Sequence, residues 1–476
     1  MTAPREKASP LFAALLFFGA LVPRLYVALA WAGEPVWDGH YYDFGARRIA
    51  EGFGYSDDVV VSGAAHWHPW CHYPVGYSAF LGLFYRVFGE GRAVAAFANA
   101  LVGASLALVT WLYARHAMSE RRARIASILV ACDPELVLYA ALLMTEPLAA
   151  LLTLLAFWLA ARNSSWRGLL FAAVVLGVGA LVRPQALLCA PFLALTDRDP
   201  IFSKATFSRA GTACLIALLP VLPWTARNCR VMDGCALVST NAGWNLAIGA
   251  FPRATGRFET LHASDGCRIV SGQVQQDRCW LAYGIAQIEE HPWHWLSLVP
   301  AKLGYTFDHA SFPVGYLHEA RPQDWPDDKQ ELARGFLTAI HRLLLVVAAL
   351  GTIGLGKLGR MPRAQVALFS ALALIAFVAV QEPPRFWPIA IFLSIVPWLP
   401  LRGRPPWPPA MLMSIALLAT TVVTHAIFFG EDRYHVVVTP VLCMLAAGAL
   451  RRPDAIARGD KKESAGESEE SDRARA

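Results

Sequence analysis

Residues 11–31 read LFAALLFFGALVPRLYVALAW, and AGEPVWDGHYYDF follows at 32–44. The first stretch is long and apolar enough to cross a hydrocarbon core of ~30 Å as one helix. Arg5 and Lys7 precede it, as they would in a signal peptide. However, no small-residue cleavage site follows convincingly, and Arg24 lies within the block. We interpret 11–31 as an uncleaved first transmembrane span, after which Asp38 lies close to the membrane surface.

Apolar blocks of similar length recur along the chain, which is 56% hydrophobic and only 16% charged. Soluble chains carry roughly 25% charged residues. The composition therefore excludes a soluble or disordered protein and predicts an all-α polytopic membrane protein with about twelve transmembrane helices. The predicted spans are 11–31, 92–114, 125–143, 146–161, 168–183, 185–196, 209–226, 334–356, 365–380, 386–400, 408–428 and 435–450, with a possible hairpin around Pro184.

The net charge of +6 is concentrated in short segments between apolar blocks. Cationic residues in alternate connections indicate membrane topology, and no basic run with interleaved aromatics suggests nucleic acid as a partner. This pattern predicts a cytoplasmic N-terminus at 1–10 and a transmembrane domain at 11–450. Two structured external loops are expected at 32–91 and 228–332. The segment 451–476 is predicted to be a disordered cytoplasmic tail.

The nine cysteines divide between the predicted spans and the external segments. Disulfides persist outside the cytoplasm. Of the external cysteines, Cys267 and Cys279 are the preferred pair, although Cys235 could partner either of them.

The first external segment offers the clearest candidate for acid–base chemistry. Tyr41 and Tyr42 follow Asp38 at helical spacing, so one of the two shares a face with Asp38 in any helix that forms there. At headgroup depth, Asp38 could act as a general base toward an acceptor hydroxyl. The competing interpretation is that Asp38 caps the helix that follows.

Residues 66–77, HWHPWCHYPVGY, suggest two alternatives. His66, His68, Cys71 and His72 could hold a transition metal, but their spacing matches no standard zinc pattern. The favoured interpretation is a rigid interfacial turn, including His68 and Tyr73, that lines a cavity.

Several polar residues lie near the external ends of the predicted spans, where ionisable groups are costly unless they are functional or paired. Their clustering toward one leaflet predicts a polar cavity there. Pairing of Glu146 with Arg183, or of Arg24 with Asp38, would be a purely structural alternative. The residues in question are Arg24, Glu146, Arg183, Arg227, Arg385, Arg433 and Tyr434.

The start of the second external loop is also polar and aromatic. Asn241, Trp244 and Asn245 offer amides and a stacking surface suited to a sugar or a phosphate. A plain polar turn is the alternative on composition alone.

Taken in order, these residues resemble the GT-C superfamily of membrane glycosyltransferases, in particular family 39-like members. That group includes protein O-mannosyltransferases and lipid A aminoarabinose transferases. The resemblance runs from Arg24 to the final span. It rests on Arg24, Asp38 with Tyr42, AEGFGYS at 50–56, YPVGY at 73–77, TEP at 145–147, RP at 183–184, PWTARN at 223–228, STNAGWNLAIG at 239–249 with Pro252, Thr255 and Gly256, and Arg433 with Tyr434.

The resemblance implies inverting transfer of a monosaccharide from a polyprenyl-phosphate donor to a lipid, glycan or protein acceptor. Asp38 matches the position of the base, and Arg227, Arg385 and Arg433 are the candidates for stabilising the phosphate leaving group. Neither a metal nor a cofactor is expected. The implied location is the bacterial inner membrane, among membrane lipids, with the site facing the periplasm or exterior. One departure is that many relatives carry two adjacent acids, whereas Gly39 follows Asp38 here.

Three other classes remain open at this point. A polymerase or ligase of undecaprenyl-pyrophosphate glycans would lack an Asp-bearing loop directly after the first span and would depend on Arg and His of later loops. A transporter or flippase for a lipid-linked sugar would place its polar residues near the midplane and often shows repeated halves. A non-catalytic binder of a lipid-linked glycan would lack the base.

Overall fold

The computed structural model describes residues 8–196, 200–267, 272–353, 363–381, 383–399 and 407–450. The predicted tail at 451–476 and most of the N-terminal segment 1–10 lie outside these residues. In the described part, the α-helices are α1 Pro10–Trp31, α2 Asp38–Glu51, α3 Val75–Phe88, α4 Arg92–Ala114, α5 Glu120–Cys132, α6 Pro134–Leu138, α7 Glu146–Arg162, α8 Trp166–Val182, α9 Lys204–Leu218, α10 Leu222–Val231, α11 Ala242–Ile248, α12 Gln273–Glu290, α13 Pro292–Ser297, α14 Val299–Phe307, α15 Phe312–Ala320, α16 Asp327–Ile353, α17 Arg363–Ala379, α18 Trp387–Ile395, α19 Pro409–Ile427 and α20 Thr439–Ala447.

The remaining regular structure is short. Strands β1, Ser56–Val61, and β2, Ala64–Pro69, form an antiparallel hairpin. The 3-10 helices are Tyr139–Ala141, Pro184–Ala194, Ala263–Asp265, Pro322–Asp324, Val396–Trp398, Asp432–Val438 and Gly448–Leu450. The predicted all-α polytopic class is confirmed.

Among the described residues, four helices are long and apolar enough to cross a membrane: α1, α4, α16 and α19. Two more spans arise if each of two bent helix pairs is taken as one. These pairs are 134–141 with α7, bent by 117°, and α9 with α10, bent by 45°. Shorter apolar helices of 10–17 residues accompany them. The count of about twelve spans stays a prediction.

Several predicted spans are not continuous helices. The span at 125–143 is broken, because α5 ends at Cys132 and Asp133 caps α6 by accepting the Leu136 N–H at 2.9 Å. Pro134 explains the break, since a proline disfavours helical backbone at the residue before it. The span at 209–226 is likewise interrupted between α9 and α10.

Two further predicted spans contain 3-10 helix. The stretch at 185–196 is 3-10 up to Ala194, with Pro191 inside it, and the span at 435–450 begins as the 3-10 helix Asp432–Val438. The second of these 3-10 helices carries Arg433 and Tyr434, which are two of the predicted site residues.

The core is built on α4, which packs against α1 and α7. Ala95, Ala96, Ala98 and Ala100 on α4 are fully buried. Small side chains let neighbouring helix backbones approach closely, which is the main source of attraction between helices in lipid.

Arg24 has a structural role within this core. Its guanidinium donates to the carbonyls of Val130 and Ala131 at 3.1 and 2.8 Å, near the end of α5, and to Ala20 at 2.9 Å. A cation at a helix C-terminus satisfies unpaired carbonyls and complements the helix dipole. The alternative ion pair of Arg24 with Asp38 is therefore wrong, and direct binding of substrate by this fully buried side chain is not supported.

The two predicted external segments are structured. The first contains α2, the hairpin and α3, and the second contains α11 to α15. The predicted disulfide between Cys267 and Cys279 is confirmed, and Cys235 pairs with Cys229 instead.

Candidate functional site

Asp38 lies at the first position of α2, directly after Trp37, whose φ of 51° is unusual for a bulky residue. The N-cap residue of α2 is Trp37, and the Asp38 carboxylate accepts from the Tyr73 and Arg433 side chains. The capping interpretation is therefore wrong. The Trp37 ring packs against Phe312 and Tyr316 of α15, which anchors the entry to α2 and fixes the direction of the Asp38 side chain.

Both oxygens of Asp38 have partners. The Tyr73 hydroxyl donates to Oδ1 at 2.9 Å, and Arg433 Nη1 donates to Oδ2 at 2.6 Å. Burial raises the pKa of Asp38, but the Arg433 guanidinium and the hydrogen bonds from Arg433 and Tyr73 more than offset it, so the pKa lies below its ordinary value. Asp38 is therefore a carboxylate at neutral pH, as a base must be.

Arg433 is the centre of the site. Its Nε lies 2.5 Å from Glu431 Oε2 and 4.0 Å from Glu146 Oε1, in addition to the Asp38 contact. The guanidinium also packs against the rings of Phe312 and Tyr434, at 5.1 and 5.2 Å. Such packing holds an arginine in one orientation.

Glu146 and Arg183 form the ion pair that the structural alternative expected. Arg183 Nη1 donates to Glu146 Oε1 at 2.6 Å and to Thr145 Oγ1 at 3.1 Å. The Arg183 guanidinium also packs against the Tyr434 ring at 5.1 Å. The pair joins α7 and the end of α8 to the segment that carries Arg433.

The second external loop reaches this cluster through aromatic contacts. Trp244 packs against His72, and His72 packs against Tyr73, with ring centroids 6.1 and 4.9 Å apart. Tyr42 is buried between Tyr73 and Tyr77. Trp244 and Tyr42 thus support the tyrosine that donates to Asp38.

Asn241 and Asn245 stand at the start of α11. Asn241 accepts from the Ser239 hydroxyl at 2.9 Å, and its carbonyl accepts the Asn245 N–H at 3.0 Å. These contacts are consistent with the plain-turn interpretation. A substrate contact by either amide stays a prediction.

Three predicted site residues make their contacts outside the cluster around Asp38 and Arg433. His68 pairs with Asp57 across the hairpin at 2.6 Å. Arg227 donates to the Tyr55 and Trp70 carbonyls at 2.7 and 3.0 Å and so joins α10 to the first external segment. Arg385 is exposed, next to the turn in which Asp308 accepts the Phe386 and Trp387 N–H groups.

The placement of these three residues weakens their assignments. Both His68 and Arg227 make these polar contacts with other parts of the protein. Arg385 makes no ion pair with the Asp38 cluster in the described residues. The possible metal set of His66, His68, Cys71 and His72 is not assembled. No group of three or more His, Cys, Asp or Glu suited to a metal ion occurs in the part of the chain that the structure describes.

The structure adds two acids that the sequence interpretation did not single out. Glu431 pairs with Arg433 directly. Asp432 accepts the Phe312 N–H and the Ser311 hydroxyl, both at 2.8 Å, and so fixes the ring on which Arg433 packs. Their position beside Arg433 in EDRY was the only signal available.

The surroundings of Gly39 account for the absence of a second acid directly after Asp38. A Cβ at this position would collide with the Tyr316 hydroxyl and lie 3.1 Å from the Leu143 carbonyl oxygen. An acidic side chain next to Asp38 therefore does not fit this site.

Gly430 allows the Arg433 segment to approach α14 closely, since a Cβ there would collide with the Lys302 carbonyl. Gly430→Ala is expected to lower the free energy of unfolding by about 1–3 kcal/mol, as overpacking does. Thermal unfolding in detergent measures this effect. Gly335→Ala, where a Cβ would meet nothing within 4 Å, is the control. Equal melting temperatures for the two variants would contradict the prediction.

Part of the chain matches a known protein family. The model for dolichyl-phosphate-mannose-protein mannosyltransferases matches residues 72–224. The chain resembles the GT-C membrane glycosyltransferases. The matched region includes Tyr73, Glu146 and Arg183, and it supports glycosyl transfer in general terms. No curated protein matched the sequence significantly.

Solved structures of GT-C proteins were also found. AglB from Archaeoglobus fulgidus, in complex with an inhibitory peptide and a dolichol-phosphate, is 13% identical with a TM-score of 0.46, over 92% of this chain and 50% of that one. ArnT from Cupriavidus metallidurans, bound to undecaprenyl phosphate, is 14% identical with a TM-score of 0.38, over 92% and 78%. This chain spans about half the length of the archaeal protein.

Proposed function

We propose that this GT-C-like chain is an inverting glycosyltransferase. It would move a monosaccharide from a polyprenyl-phosphate donor to an acceptor outside the cytoplasm. The observation that carries the proposal is the Asp38 carboxylate, held between the Tyr73 hydroxyl and the Arg433 guanidinium. A base and a cation lie side by side. In displacement at a sugar carbon, the base can take the proton of the attacking hydroxyl and the cation can stabilise the departing phosphate.

The chemistry balances with these groups. The acceptor hydroxyl oxygen forms a bond to the anomeric carbon, its proton passes to Asp38, and the bond from that carbon to the phosphate oxygen breaks. The electron pair of the broken bond stays on the lipid phosphate, whose negative charge increases. Arg433 lies 2.6 Å from Asp38 and can stabilise that charge.

Binding of the donor would also activate the base. In the resting site, Arg433 lowers the proton affinity of Asp38. A phosphate that attracts the guanidinium weakens this hold, because the positive charge is then shared between two anions. Asp38 therefore becomes a stronger base when the donor arrives.

We assign the protein to a bacterial inner membrane, as a multi-pass protein with the site facing the periplasm or exterior. The clustering of Asp38, Glu146, Arg183 and Arg433 at the predicted external ends of spans supports this orientation. The same clustering disfavours the transporter alternative, which expects polar groups near the midplane. The acceptor is a lipid, a glycan or a protein.

Transfer of radiolabelled sugar from polyprenyl-phosphate donors tests the proposal. Membranes containing the protein are expected to form a labelled product that membranes lacking it do not form, and that product identifies the acceptor. Label that crosses the bilayer while still attached to the lipid would favour the flippase alternative. Donor that is bound but neither transferred nor moved would favour the non-catalytic binder.

A further inference from the structure

The charges around Arg433 do not balance. Asp38, Glu146 and Glu431 approach its guanidinium at 2.6, 4.0 and 2.5 Å, and Arg183 is the second cation of the cluster. Three carboxylates against two guanidinium groups leave an excess negative charge. A lipid phosphate would add another negative charge in a partly buried site, where repulsion is stronger than in water.

Glu431 is held least firmly of the three carboxylates. Asp38 also accepts from Tyr73, and Glu146 is paired with Arg183. The Glu431 side chain pairs with Arg433 alone among the described residues, and 28% of it is exposed. It can therefore exchange a proton with solvent without disturbing another contact.

The surroundings of Glu431 favour its neutral form. Burial is the largest influence, and nearby carboxylates add to it; together they outweigh Arg433 and raise the pKa of Glu431 to about 7. The charged and titratable groups that face it are Asp38 from α2, Glu146 from α7, and Asp432, Arg433 and Tyr434 from its own segment, with Arg183 beyond Glu146.

We propose that Glu431 is a positioning residue that takes up a proton when the lipid phosphate binds and so releases Arg433 Nε to that phosphate. The inference rests on the proposed function, since it requires a phosphate-bearing lipid at this site. With Glu431 neutral, the two carboxylates that still approach Arg433, Asp38 and Glu146, match the two guanidinium groups, and the repulsion of a phosphate is reduced. The proton comes from water, so no other reactant is needed.

The sign of the pH dependence follows from this coupling. Below pH 7 Glu431 is already protonated, and the affinity for phosphate is at its plateau. Above pH 7 each binding event must take up a proton, so affinity falls by about tenfold per pH unit. Between pH 6 and pH 8.5 the expected loss is about 30-fold.

The test measures binding of radiolabelled undecaprenyl phosphate to the purified protein in nanodiscs from pH 6 to pH 9. Wild type is compared with Glu431→Gln, which mimics the protonated acid, and with Glu34→Gln, which removes an exposed carboxylate elsewhere in the first external segment. Glu431→Gln is expected to keep only the pH dependence of the lipid phosphate itself, whereas wild type and Glu34→Gln lose further affinity in parallel as the pH rises. Because the lipid is the same throughout, titration of its own phosphate cancels in the comparison. Uncharged undecaprenol should show no pH dependence with any variant.

A second readout is proton uptake on lipid binding at pH 8 in weak buffer. About one proton per bound lipid is expected for wild type beyond that taken up with Glu431→Gln. Equal pH profiles for these two proteins would overturn the proposal. If Glu431→Gln does not fold, Glu431→Ala, which also removes the carboxylate, takes its place in both measurements, and equal profiles would again overturn the proposal. Failure of transfer with this coupling intact would instead refute the proposed function and leave Glu431 as a determinant of phosphate binding.

Discussion

Asp38→Asn is expected to lower sugar transfer by about 10²–10⁴-fold, the range that a positioned general base contributes. Asparagine keeps the shape of the side chain and can still accept from Tyr73, but it cannot take the proton of the acceptor hydroxyl. Binding of lipid phosphate should be retained or strengthened, because Arg433 loses one of its competing carboxylates. Transfer of radiolabelled sugar and binding of undecaprenyl phosphate are measured on the same preparations.

Asp57→Asn is the control for this experiment. Asp57 lies on the hairpin, where it pairs with His68 and is 38% exposed, so its loss should leave transfer close to the wild-type rate. If Asp38→Asn transfers as fast as wild type, Asp38 is not the base. If both activity and lipid binding disappear, the carboxylate has a structural role instead.

The sequence allowed residues of the Asp38 cluster to be singled out but did not predict the contacts between them. Asp38 could be predicted because it follows the first apolar block directly, and Arg433 because a charged residue beside a span is costly. Their contact joins residues 395 positions apart, and no local pattern contains that information. Tyr73 was expected to line a cavity, whereas its hydroxyl is a hydrogen-bond donor to Asp38.

The errors in the fold prediction have a common cause. Apolar length was taken to mean a continuous helix, although Pro134 and Pro191 lie within or beside the predicted spans. Prolines allow such stretches to break or to adopt 3-10 geometry while remaining apolar. His68 and Arg227 show a different limit of the sequence, and substrate binding by either of them stays a prediction. A side chain that could bind a ligand could equally bind its own backbone, and only the tertiary structure distinguishes these outcomes.

Loss of Arg183 is expected to have the largest effect on stability. Glu146 is 1% exposed and Arg183 is its partner at 2.6 Å, so Arg183→Met leaves a buried carboxylate without its main counter-ion. Breaking a buried pair in this way typically costs about 3–5 kcal/mol. Chemical unfolding in detergent should show this loss. The double variant Glu146→Gln with Arg183→Met should recover most of it, because no buried charge then remains. Equal stability of the single and double variants would contradict the argument.

Arg183→Met should also displace Arg433 within the site. Arg433 Nε already lies 4.0 Å from Glu146 Oε1, so Glu146 without its partner would attract the Arg433 guanidinium away from Asp38 and Glu431. We therefore expect Arg183→Met to weaken binding of undecaprenyl phosphate, even at temperatures where the protein is fully folded. Removing the Glu146 charge in the double variant should restore that binding. Recovered stability without recovered binding would instead mean that the phosphate contacts Arg183 itself, and Arg183 would then be a ligand for the phosphate as well as the partner of Glu146.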